Sequence, residues 1–458
     1  MNWDVIVTGA GIAGWTAALR ATQLGASVLL VDKARGEMGG GNSLMNSGSF
    51  YCAGLPPNAD PEALAAKVLS QGIATPALVR AWAGSCGRAV DWLREAGVDV
   101  FVMPHTGQHW LEYESRVCQA PLYRQDVGTN TLGKLKAAFE SSGGTFWPST
   151  QALRLQTPRP GAVSGAVLDR DGAVVDVAAK AVILTTGGFS ANPEMLSRYV
   201  GPLAGECKLR CSANATGDGL RMALEVGAGA VNLAYFYGHL QSLKCLIDDR
   251  FWPYPRLDSL VTDGILVDRA GRRFVDEGRG DVAVSNLLAR GDDPRGACLI
   301  FDEPAWERAR RDEISTATQI PGANPWLMEH DGELYSAPTT QALSSQLAID
   351  GRSLAATIET YNAGERPVPR TGRSGPLDGP LYAIRVVPGI TFTMGGIQVD
   401  GQLRAMDREG LPIAGLRAAG DAIGGLMGGF DGGYTGGLSQ AVVTGLLAAE
   451  SVAGHAVS

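Results

Sequence analysis

A glycine-rich turn close to the N-terminus constrains this chain more than any other feature. A short apolar run at 4–7 meets glycines at positions 9, 11 and 14, and an Ala- and Leu-rich helical pattern follows to residue 24. A second apolar run, 27–31, ends on Asp32, about 20 positions after the glycines. This order of strand, glycine turn, helix, strand and acidic residue predicts a βαβ unit that binds a dinucleotide.

Each residue type in this turn has a physical task. Glycines permit a tight turn and let the backbone approach a pyrophosphate, which then faces the positive end of the helix. The carboxylate of Asp32 accepts hydrogen bonds from ribose hydroxyls. NAD and FAD share this fingerprint, so the choice between them depends on other segments of the chain.

Composition excludes several classes of protein. The chain has 458 residues, enough for roughly three domain-sized units or two large ones. Hydrophobic residues make up 45% and charged residues 19%, which excludes wholesale disorder. The net charge of −8, without a basic run, argues against nucleic acid as a partner. No stretch approaches the roughly 20 apolar residues of a membrane span, and the N-terminus enters a strand pattern at once. These features predict a cytoplasmic protein.

Cysteine and histidine spacing gives no support for a metal centre. The seven cysteines show no C-x-x-C pattern and no iron–sulfur spacing. His105 and His109 lie four apart in a stretch containing Pro and Gly, which is not a helical metal pair. We therefore predict that the protein holds no metal.

Four further segments discriminate between the dinucleotides. The first is a polar glycine loop at 39–44, and the second is a strand that runs into glycines at 181–188. The third is an Ala-Thr-Gly-Asp-Gly helix start at 215–219. The fourth is a strand that ends in Gly420-Asp421 and is followed by a glycine run and a last helix. In this order they resemble the flavoprotein family of fumarate reductase and succinate dehydrogenase flavoprotein subunits, which also contains 3-ketosteroid dehydrogenases and tricarballylate dehydrogenase. The most specific matching motifs are at 40–43, 216–219, 391–397 and 433–437.

The resemblance covers nearly the whole chain and implies its fold. The expected class is α/β: a Rossmann-type, glutathione-reductase-like FAD-binding domain interrupted by an inserted α+β capping domain. The expected limits are 1–234 and 392–458 for the two parts of the FAD-binding domain, and 235–391 for the cap.

The resemblance also implies an extended FAD. Its adenosine ribose lies on Asp32, its pyrophosphate over 11–14, its flavin against 40–43 and its ribityl chain near Asp421, while the N-terminus of the last helix faces the flavin pyrimidine. The candidate cofactor-binding residues are Gly9, Ala10, Gly11, Ile12, Ala13, Gly14, Asp32, Lys33, Gly40, Gly41, Asn42, Ser43, Thr186, Gly187, Asp218, Gly420, Asp421, Leu438 and Ser439. Family members with covalent flavin carry a histidine in the glycine loop. Residues 39–49 contain none, so we predict non-covalent FAD.

Departures from the fumarate reductases restrict the substrate. His239 falls at the family's substrate histidine and Glu277 at its active-site acid. Phe392 replaces the histidine before the Thr-Met-Gly-Gly motif, and Tyr434 replaces the arginine before the last helix. No clear counterpart of the proton-donating arginine is found near 301–310. The missing residues argue against a C4-dicarboxylate.

Flavin-dependent desaturation needs a base for the proton α to a carbonyl and donors for the developing enolate. Tyr434 resembles the ketone-binding tyrosine of 3-ketosteroid dehydrogenases, which acts with a backbone amide, here that of Leu438. Packing alone is the competing explanation for Tyr434, and a structural role for His239. The candidate catalytic residues are Tyr434, Leu438, His239, Tyr237, Tyr235, Tyr123, Phe392 and Glu277, with the base open among Tyr235, Tyr237, His239 and Tyr123. Arg250 and Arg256 either anchor a carboxylate or lie on the surface.

The predicted function is that of an FAD-dependent dehydrogenase that introduces, or in reverse reduces, a C=C bond next to a carbonyl. The expected substrate is a cyclic ketone of the 4-oxocyclohexanecarboxylate or 3-ketosteroid type, with oxygen, a quinone or a carrier as external electron acceptor. A tricarballylate- or fumarate-type carboxylate substrate stays open. Two further functions also stay open, those of an NADPH-dependent flavin hydroxylase and of a non-catalytic flavin-binding redox sensor.

Overall fold

The computed structural model describes residues 2–103, 107–112, 125–252, 256–311, 322–372 and 375–456. Its largest sheet has eight strands: Asn2–Thr8, Val28–Val31, Thr145–Trp147, Thr150–Leu155, Gly165–Arg170, Ala173–Leu184, Arg404–Met406 and Pro412–Ala418. Asn2–Thr8 lies between Val28–Val31 and Ala173–Leu184 and pairs with both in parallel. The inner strands are continuous apolar runs because helices and loops cover both faces of a parallel sheet.

Helices flank the sheets. They are Ile12–Gln23, Pro61–Leu69, Pro76–Ala83, Cys86–Glu95, Gln125–Ser141, Pro193–Tyr199, Asp218–Glu225, Asp258–Asp263, Asp281–Arg290, Glu303–Arg311, Pro325–His330, Thr340–Leu347, Gly351–Asn362 and Gly437–Ala456. The first and the last of these pack against each other. Gly445 allows this close approach, since a Cβ there would lie 2.7 Å from the carbonyl oxygen of Ala13. Among the described helices, none is both long enough and apolar enough to cross a membrane.

A second sheet has six strands. Its strands are Lys208–Leu209, Phe236–Ser242, Ile265–Val267, Ala297–Asp302, Tyr335–Ala337 and Leu381–Thr393. The long strand Leu381–Thr393 pairs with four of the others. Most apolar residues of this sheet form clusters of their own, whereas Ile390, near the end of the long strand, packs into the core of the first sheet. This strand runs through the expected limit between the cap and the second part of the FAD-binding domain at 391/392. The limits of the domains stay a prediction.

Strand register places the candidate catalytic residues. Phe236–Ser242 runs antiparallel to Leu381–Thr393, with Tyr237 opposite Phe392 and an irregularity between Tyr237 and Gly238. Two small sheets complete the fold: Ser49–Phe50, Val100–Val102 and His109–Leu111 form one, and Ala230–Val231 and Gly396–Ile397 form the other.

Candidate active site

The first glycine turn leaves no room for side chains. Gly9 has φ of +99°, and a Cβ there would lie 2.6 Å from the carbonyl oxygen of Thr185. A Cβ on Gly14 would lie 1.8 Å from the carbonyl oxygen of Gly9. The helix begins at Ile12, whose N–H donates to the Ser43 hydroxyl at 2.8 Å. The glycine loop is thereby joined to the helix end that faces an anion.

Asp32 lies at the end of its strand, where its carboxylate accepts from the N–H groups of Ala10 (2.7 Å) and Ala34 (2.8 Å). Burial raises the pKa of this carboxyl group, although the amides and Lys33 oppose the shift. Lys33 pairs with Asp218 at 2.8 Å. This ion pair brings the Thr-Gly-Asp-Gly motif next to the βαβ unit.

Asn42 ties the glycine loop to the second sheet. Its Nδ2 donates to the carbonyl of Thr391 at 3.2 Å, and its Oδ1 accepts from the N–H of Ser212 at 2.8 Å. The loop is therefore held at the seam between the two sheets.

A cleft runs along this seam. The predicted cofactor-binding residues that line it are Gly9, Gly11, Ile12, Ala13, Asp32, Lys33, Gly40, Gly41, Asn42, Ser43, Thr186, Gly187, Asp218, Gly420, Asp421 and Leu438. The other three, Ala10, Gly14 and Ser439, are not among the residues that line the cleft. Ser439 is buried, and its hydroxyl donates to the carbonyl of Tyr51 at 2.6 Å.

Sequence reasoning missed several lining residues. They include Met45, Asn46, Ser47, Ser49, Thr150, Gln151, Ala152, Cys211 and Asn214. The most notable is Arg210, which is only 2% exposed and donates from Nη1 to the Thr391 hydroxyl at 3.0 Å. It belongs to none of the motifs recognised in the sequence, so no pattern marks it.

Three aromatic rings form one wall of the cleft. The ring of Tyr237 stacks on that of Tyr434 with centroids 4.1 Å apart and planes 19° apart. Phe392 lies 5.2 Å from Tyr237, and Tyr51 stacks on the other face of Tyr434 at 5.4 Å. Phe392, Tyr237 and Tyr434 therefore present an apolar surface with two hydroxyl groups.

Tyr434 meets the start of the last helix. Its hydroxyl oxygen accepts from the N–H of Gly437 at 3.2 Å, and Leu438 follows in the first helical turn. First-turn N–H groups have no acceptor within their own helix. Burial raises the pKa of Tyr434 to about 12, so its hydroxyl keeps its proton at neutral pH.

His239 lines the cleft beside Tyr237. Its Nε2 is 3.0 Å from the Tyr237 hydroxyl, and its Nδ1 is 2.6 Å from Asp281 Oδ2 and 3.2 Å from Asp258 Oδ1. Burial opposes the charged imidazole, but the two carboxylates outweigh burial and raise the pKa of His239. Asp258 and Asp281 lie 19 and 42 positions after His239 in the sequence, so sequence spacing does not predict that they contact it.

The same three residues bring potential metal-ligating atoms within 4.8 Å of one another. In the structure these atoms form hydrogen bonds to each other, with Nδ1 of His239 facing both carboxylates. The absence of a metal stays a prediction.

Three predicted catalytic residues are not found on the cleft wall. Tyr235 packs under the guanidinium of Arg290, 4.5 Å from the ring centroid, and does not line the cleft. Glu277 is fully buried and pairs with Arg273 (2.7 Å) and Arg370 (3.1 Å), so its acid is part of an internal ion-pair network rather than of the cleft lining. Tyr123 lies outside the described residues.

The two candidate arginines, Arg250 and Arg256, lie in different places relative to the cleft. Arg256 lines the cleft and lies 3.8 Å from Asp258. Arg250 pairs with Asp248 (2.7 Å) and Asp331 (2.9 Å) outside it. Of the two, only Arg256 can reach a molecule in the cleft.

Asp421 lines the cleft beside the last helix. Burial raises its pKa to about 7. A carboxyl group in this state donates or accepts a hydrogen bond near neutral pH, according to its protonation.

Comparisons with known proteins agree with this geometry. Residues 4–438 match the family model described as "FAD binding domain". A fumarate reductase (cytochrome) of Shewanella frigidimarina is 28% identical and covers 92% of this chain and 72% of its own length. A 4-oxocyclohexanecarboxylate 2-dehydrogenase of Sinomonas cyclohexanicum is 26% identical and covers 99% and 93%. The solved structure of a 3-ketosteroid Δ1-dehydrogenase from Sterolibacterium denitrificans has a TM-score of 0.76 at 20% identity, covering 99% of this chain and 100% of that one, a likeness of fold.

These matches establish FAD as the cofactor, and the residues present fit it. The tight glycine turn, the helix start at Ile12 and the buried carboxylate of Asp32 provide the close approach, the anion site and the ribose acceptor that a dinucleotide requires. The predictions of an α/β flavoprotein fold and of FAD are thus confirmed.

Proposed function

Because the chain belongs to the FAD binding domain family, we propose that it is a dehydrogenase that introduces a C=C bond next to the carbonyl of a cyclic ketone bearing a carboxylate. FAD, when bound, accepts the hydride from the β carbon. One observation carries the proposal: the Tyr434 hydroxyl meets the start of the last helix while its ring stacks on Tyr237. This arrangement supplies donors and a base on one aromatic wall.

Tyr434 and Leu438 hold the ketone oxygen. The Tyr434 oxygen already accepts from Gly437, so its own proton is free to point to a second acceptor. The Leu438 N–H adds a backbone donor from the first helical turn. Together they stabilise the negative charge that develops on the ketone oxygen as the α proton leaves.

Tyr237 is the base in this proposal. Its hydroxyl is on the same wall as that of Tyr434, and the two rings are in contact. Tyr235 is covered by Arg290 and does not line the cleft, whereas His239 lines it but has its Nε2 within 3.0 Å of the Tyr237 hydroxyl. We choose Tyr237 because its ring is in contact with that of Tyr434, which holds the ketone oxygen in this proposal.

The lining favours a ring with a remote carboxylate. Phe392, Tyr237 and Tyr434 offer apolar ring atoms, whereas Arg210 and Arg256 offer positive charge. Guanidinium groups bind carboxylates in a planar, two-point geometry. The similarity to a 4-oxocyclohexanecarboxylate 2-dehydrogenase supports this substrate class.

A second candidate is oxidation or reduction of an acyclic carboxylate of the tricarballylate or fumarate type. The two arginines on the cleft favour it, as does the similarity to a fumarate reductase. Replacement of the family's carboxylate-binding residues by Phe392 and Tyr434 counts against it.

The test is an anaerobic titration of the oxidised holoenzyme. Cyclohexanone carboxylates, 3-ketosteroids, tricarballylate and succinate are added one at a time, with NADPH as control, and the flavin absorbance is followed. We expect bleaching by a cyclic ketone carboxylate. Bleaching by succinate or tricarballylate alone would select the second candidate, and bleaching by NADPH alone would indicate a hydroxylase.

Turnover requires an external electron acceptor. The proposal admits oxygen, a quinone or a separate carrier, because the reduced cofactor must be reoxidised after each cycle. Mixing the substrate-reduced enzyme with oxygen or with a soluble quinone, and comparing the rates at which flavin absorbance returns, ranks these acceptors.

A further inference from the structure

We propose that His239 and Asp281 form a proton relay beside Tyr237. In this relay His239 Nε2 takes the phenolic proton of Tyr237 while the phenolic oxygen takes the α proton of the substrate, and Asp281 holds the imidazole in the required tautomer. The inference rests on the proposed function and adds to it the route by which a tyrosine serves as a base.

The distances form a continuous chain of hydrogen bonds. Tyr237 Oη lies 3.0 Å from His239 Nε2, and His239 Nδ1 lies 2.6 Å from Asp281 Oδ2. Tyr237 and His239 both line the cleft, His239 with only 6% of its surface exposed, and Asp281, the first residue of the helix Asp281–Arg290, does not line it. The series of hydrogen bonds therefore leads from the cleft wall to a carboxylate behind it.

The acceptors on one side of the ring determine the tautomer. Two carboxylates face Nδ1, so the neutral imidazole carries its hydrogen on Nδ1 and leaves the Nε2 lone pair toward Tyr237. The Tyr237 hydroxyl then donates to Nε2. This is the orientation that a proton leaving Tyr237 requires.

The step is balanced. The substrate α C–H bond breaks and a new O–H bond forms on Tyr237, as the original Tyr237 O–H bond breaks and an N–H bond forms on His239 Nε2. The β hydride goes to FAD. The resulting imidazolium lies between the carboxylates of Asp281 and Asp258, which stabilise its charge.

Tyr237 needs such a partner because burial raises its pKa well above 10. A preformed phenolate is therefore absent at neutral pH. Transfer to His239 as the α proton arrives avoids a buried phenolate, whose uncompensated charge would be costly.

The carboxylates around His239 favour its positively charged form, which is the form that the proton transfer creates. Removing two carboxylates from water around one imidazole is costly unless a positive charge compensates them. Four groups face His239: Asp258, Asp281, Tyr237 and, through Asp258, Arg256. Burial and the neighbouring charge of Asp258 raise the pKa of Asp281 to about 6, so these groups titrate as one cluster.

The kinetic test uses Asp281→Asn and Asp281→Glu in the holoenzyme. Dehydrogenation requires neutral His239, so its rate should rise with pH through the pKa of the cluster. We expect Asp281→Asn to slow single-turnover flavin reduction about 10²-fold or more and to leave KM nearly unchanged. The acidic limb of the pH–rate profile should move to lower pH, because the loss of a neighbouring carboxylate lowers the pKa of His239. Asp281→Glu should recover part of the rate.

Asp263→Asn is the matched control. Asp263 ends the helix that Asp258 begins and pairs with Arg308 at 2.9 Å, so this variant should keep the rate and the pH profile. An unchanged pH profile in Asp281→Asn, or an effect on KM alone, would overturn the relay while leaving the desaturase function standing.

A substrate-free readout separates the two proposals. The chain has five histidines, so ¹⁵N NMR of the imidazoles can be assigned with His239→Gln. We expect neutral His239 to carry its proton on Nδ1 and its pKa to fall in Asp281→Asn but not in Asp263→Asn. An Nε2–H tautomer, or a selective shift of His239 on adding Zn²⁺ to EDTA-treated enzyme, would overturn the relay, the latter in favour of a metal site. Failure of every ketone to bleach the flavin would instead refute the proposed function.

Discussion

Single hydroxyl and carboxyl groups determine what the cleft can do. The Tyr434 oxygen accepts from the backbone of Gly437 and so leaves its proton for a ligand. The Asp421 carboxyl also lines the cleft, and burial raises its pKa to about 7. Each of these roles is testable by removal of one polar atom or one charge.

Tyr434→Phe removes the donor and keeps the stacked ring. We expect substrate-dependent flavin reduction to slow by about 10² or more, the usual cost of losing one oxyanion donor, with FAD still bound. Stopped-flow absorbance measures the rate. Tyr382→Phe, in a ring stacked on Phe301 within the second sheet, is the control and should react at the wild-type rate. An unchanged rate in Tyr434→Phe would mean that packing alone explains this tyrosine.

Asp421→Asn tests the raised carboxyl pKa. The pKa is about 7 when folded against an ordinary 3.8, so the folded protein binds the extra proton, and the free energy of unfolding falls as pH rises from about 4 to 7. Removing the charge should raise the apoprotein Tm at pH 8 by about 2–4 °C and have less effect at pH 5. Calorimetry checks this against Asp292→Asn, an exposed carboxylate. Equal shifts at both pH values would contradict the assignment.

At the scale of elements, a glycine-rich loop must be held still for Tyr434 to act. The loop 424–436 contains positive-φ glycines at 425, 428, 429, 432, 433 and 436. Such a segment loses much backbone entropy on ordering. Arg279, which precedes the helix that begins at Asp281, pairs with Asp431 at 2.9 Å and donates to the carbonyl of Phe430. The arginine thus fastens the loop to the segment that leads into the helix Asp281–Arg290.

Arg279→Ala should release this loop. We expect turnover to fall about tenfold because a donor misplaced by about 1 Å loses much of its effect, whereas FAD stays bound. Hydrogen exchange should show lower protection over 425–436. Arg269→Ala, which removes an exposed pair with Asp293, is the control. Normal protection of the loop in Arg279→Ala would show that the pair is dispensable.

At the scale of the whole molecule, the cleft draws its lining from both ends of the chain. The first glycine turn, the loop at 40–43 and the start of the last helix all contribute, and the first and last helices pack together. A cofactor that contacts such distant segments stabilises the folded state over the unfolded one, in which these contacts are absent.

Non-covalent binding predicts complete release of FAD on acid denaturation. The glycine loop contains no histidine to carry a covalent bond. The flavin should appear entirely in the supernatant, and its return to refolded apoprotein should raise Tm, by the equivalent of about 4 kcal/mol at 1,000 times Kd. Absorbance of the precipitate and calorimetry measure the two effects. Flavin that remains on the acid-precipitated chain would contradict this prediction.

The amino-acid sequence alone determined the local features of this protein. The βαβ unit follows from two apolar runs and from glycines at positions where a Cβ would collide with the backbone. This unit depends on neighbours within about one turn or one strand, so residue type and spacing are sufficient to predict it. The pairing of Tyr434 with the Leu438 N–H comes instead from the resemblance to 3-ketosteroid dehydrogenases and stays a prediction.

Only the tertiary structure decided which distant side chains meet. The pairing of Phe236–Ser242 with Leu381–Thr393 places Tyr237 beside Phe392, and the starts of two later helices bring Asp258 and Asp281 to His239. The same packing assigns Glu277 to an internal ion-pair network and brings Arg210 to the cleft. Such contacts depend on strand register and helix placement, which are set by the packing of the whole core, and no local spacing encodes them.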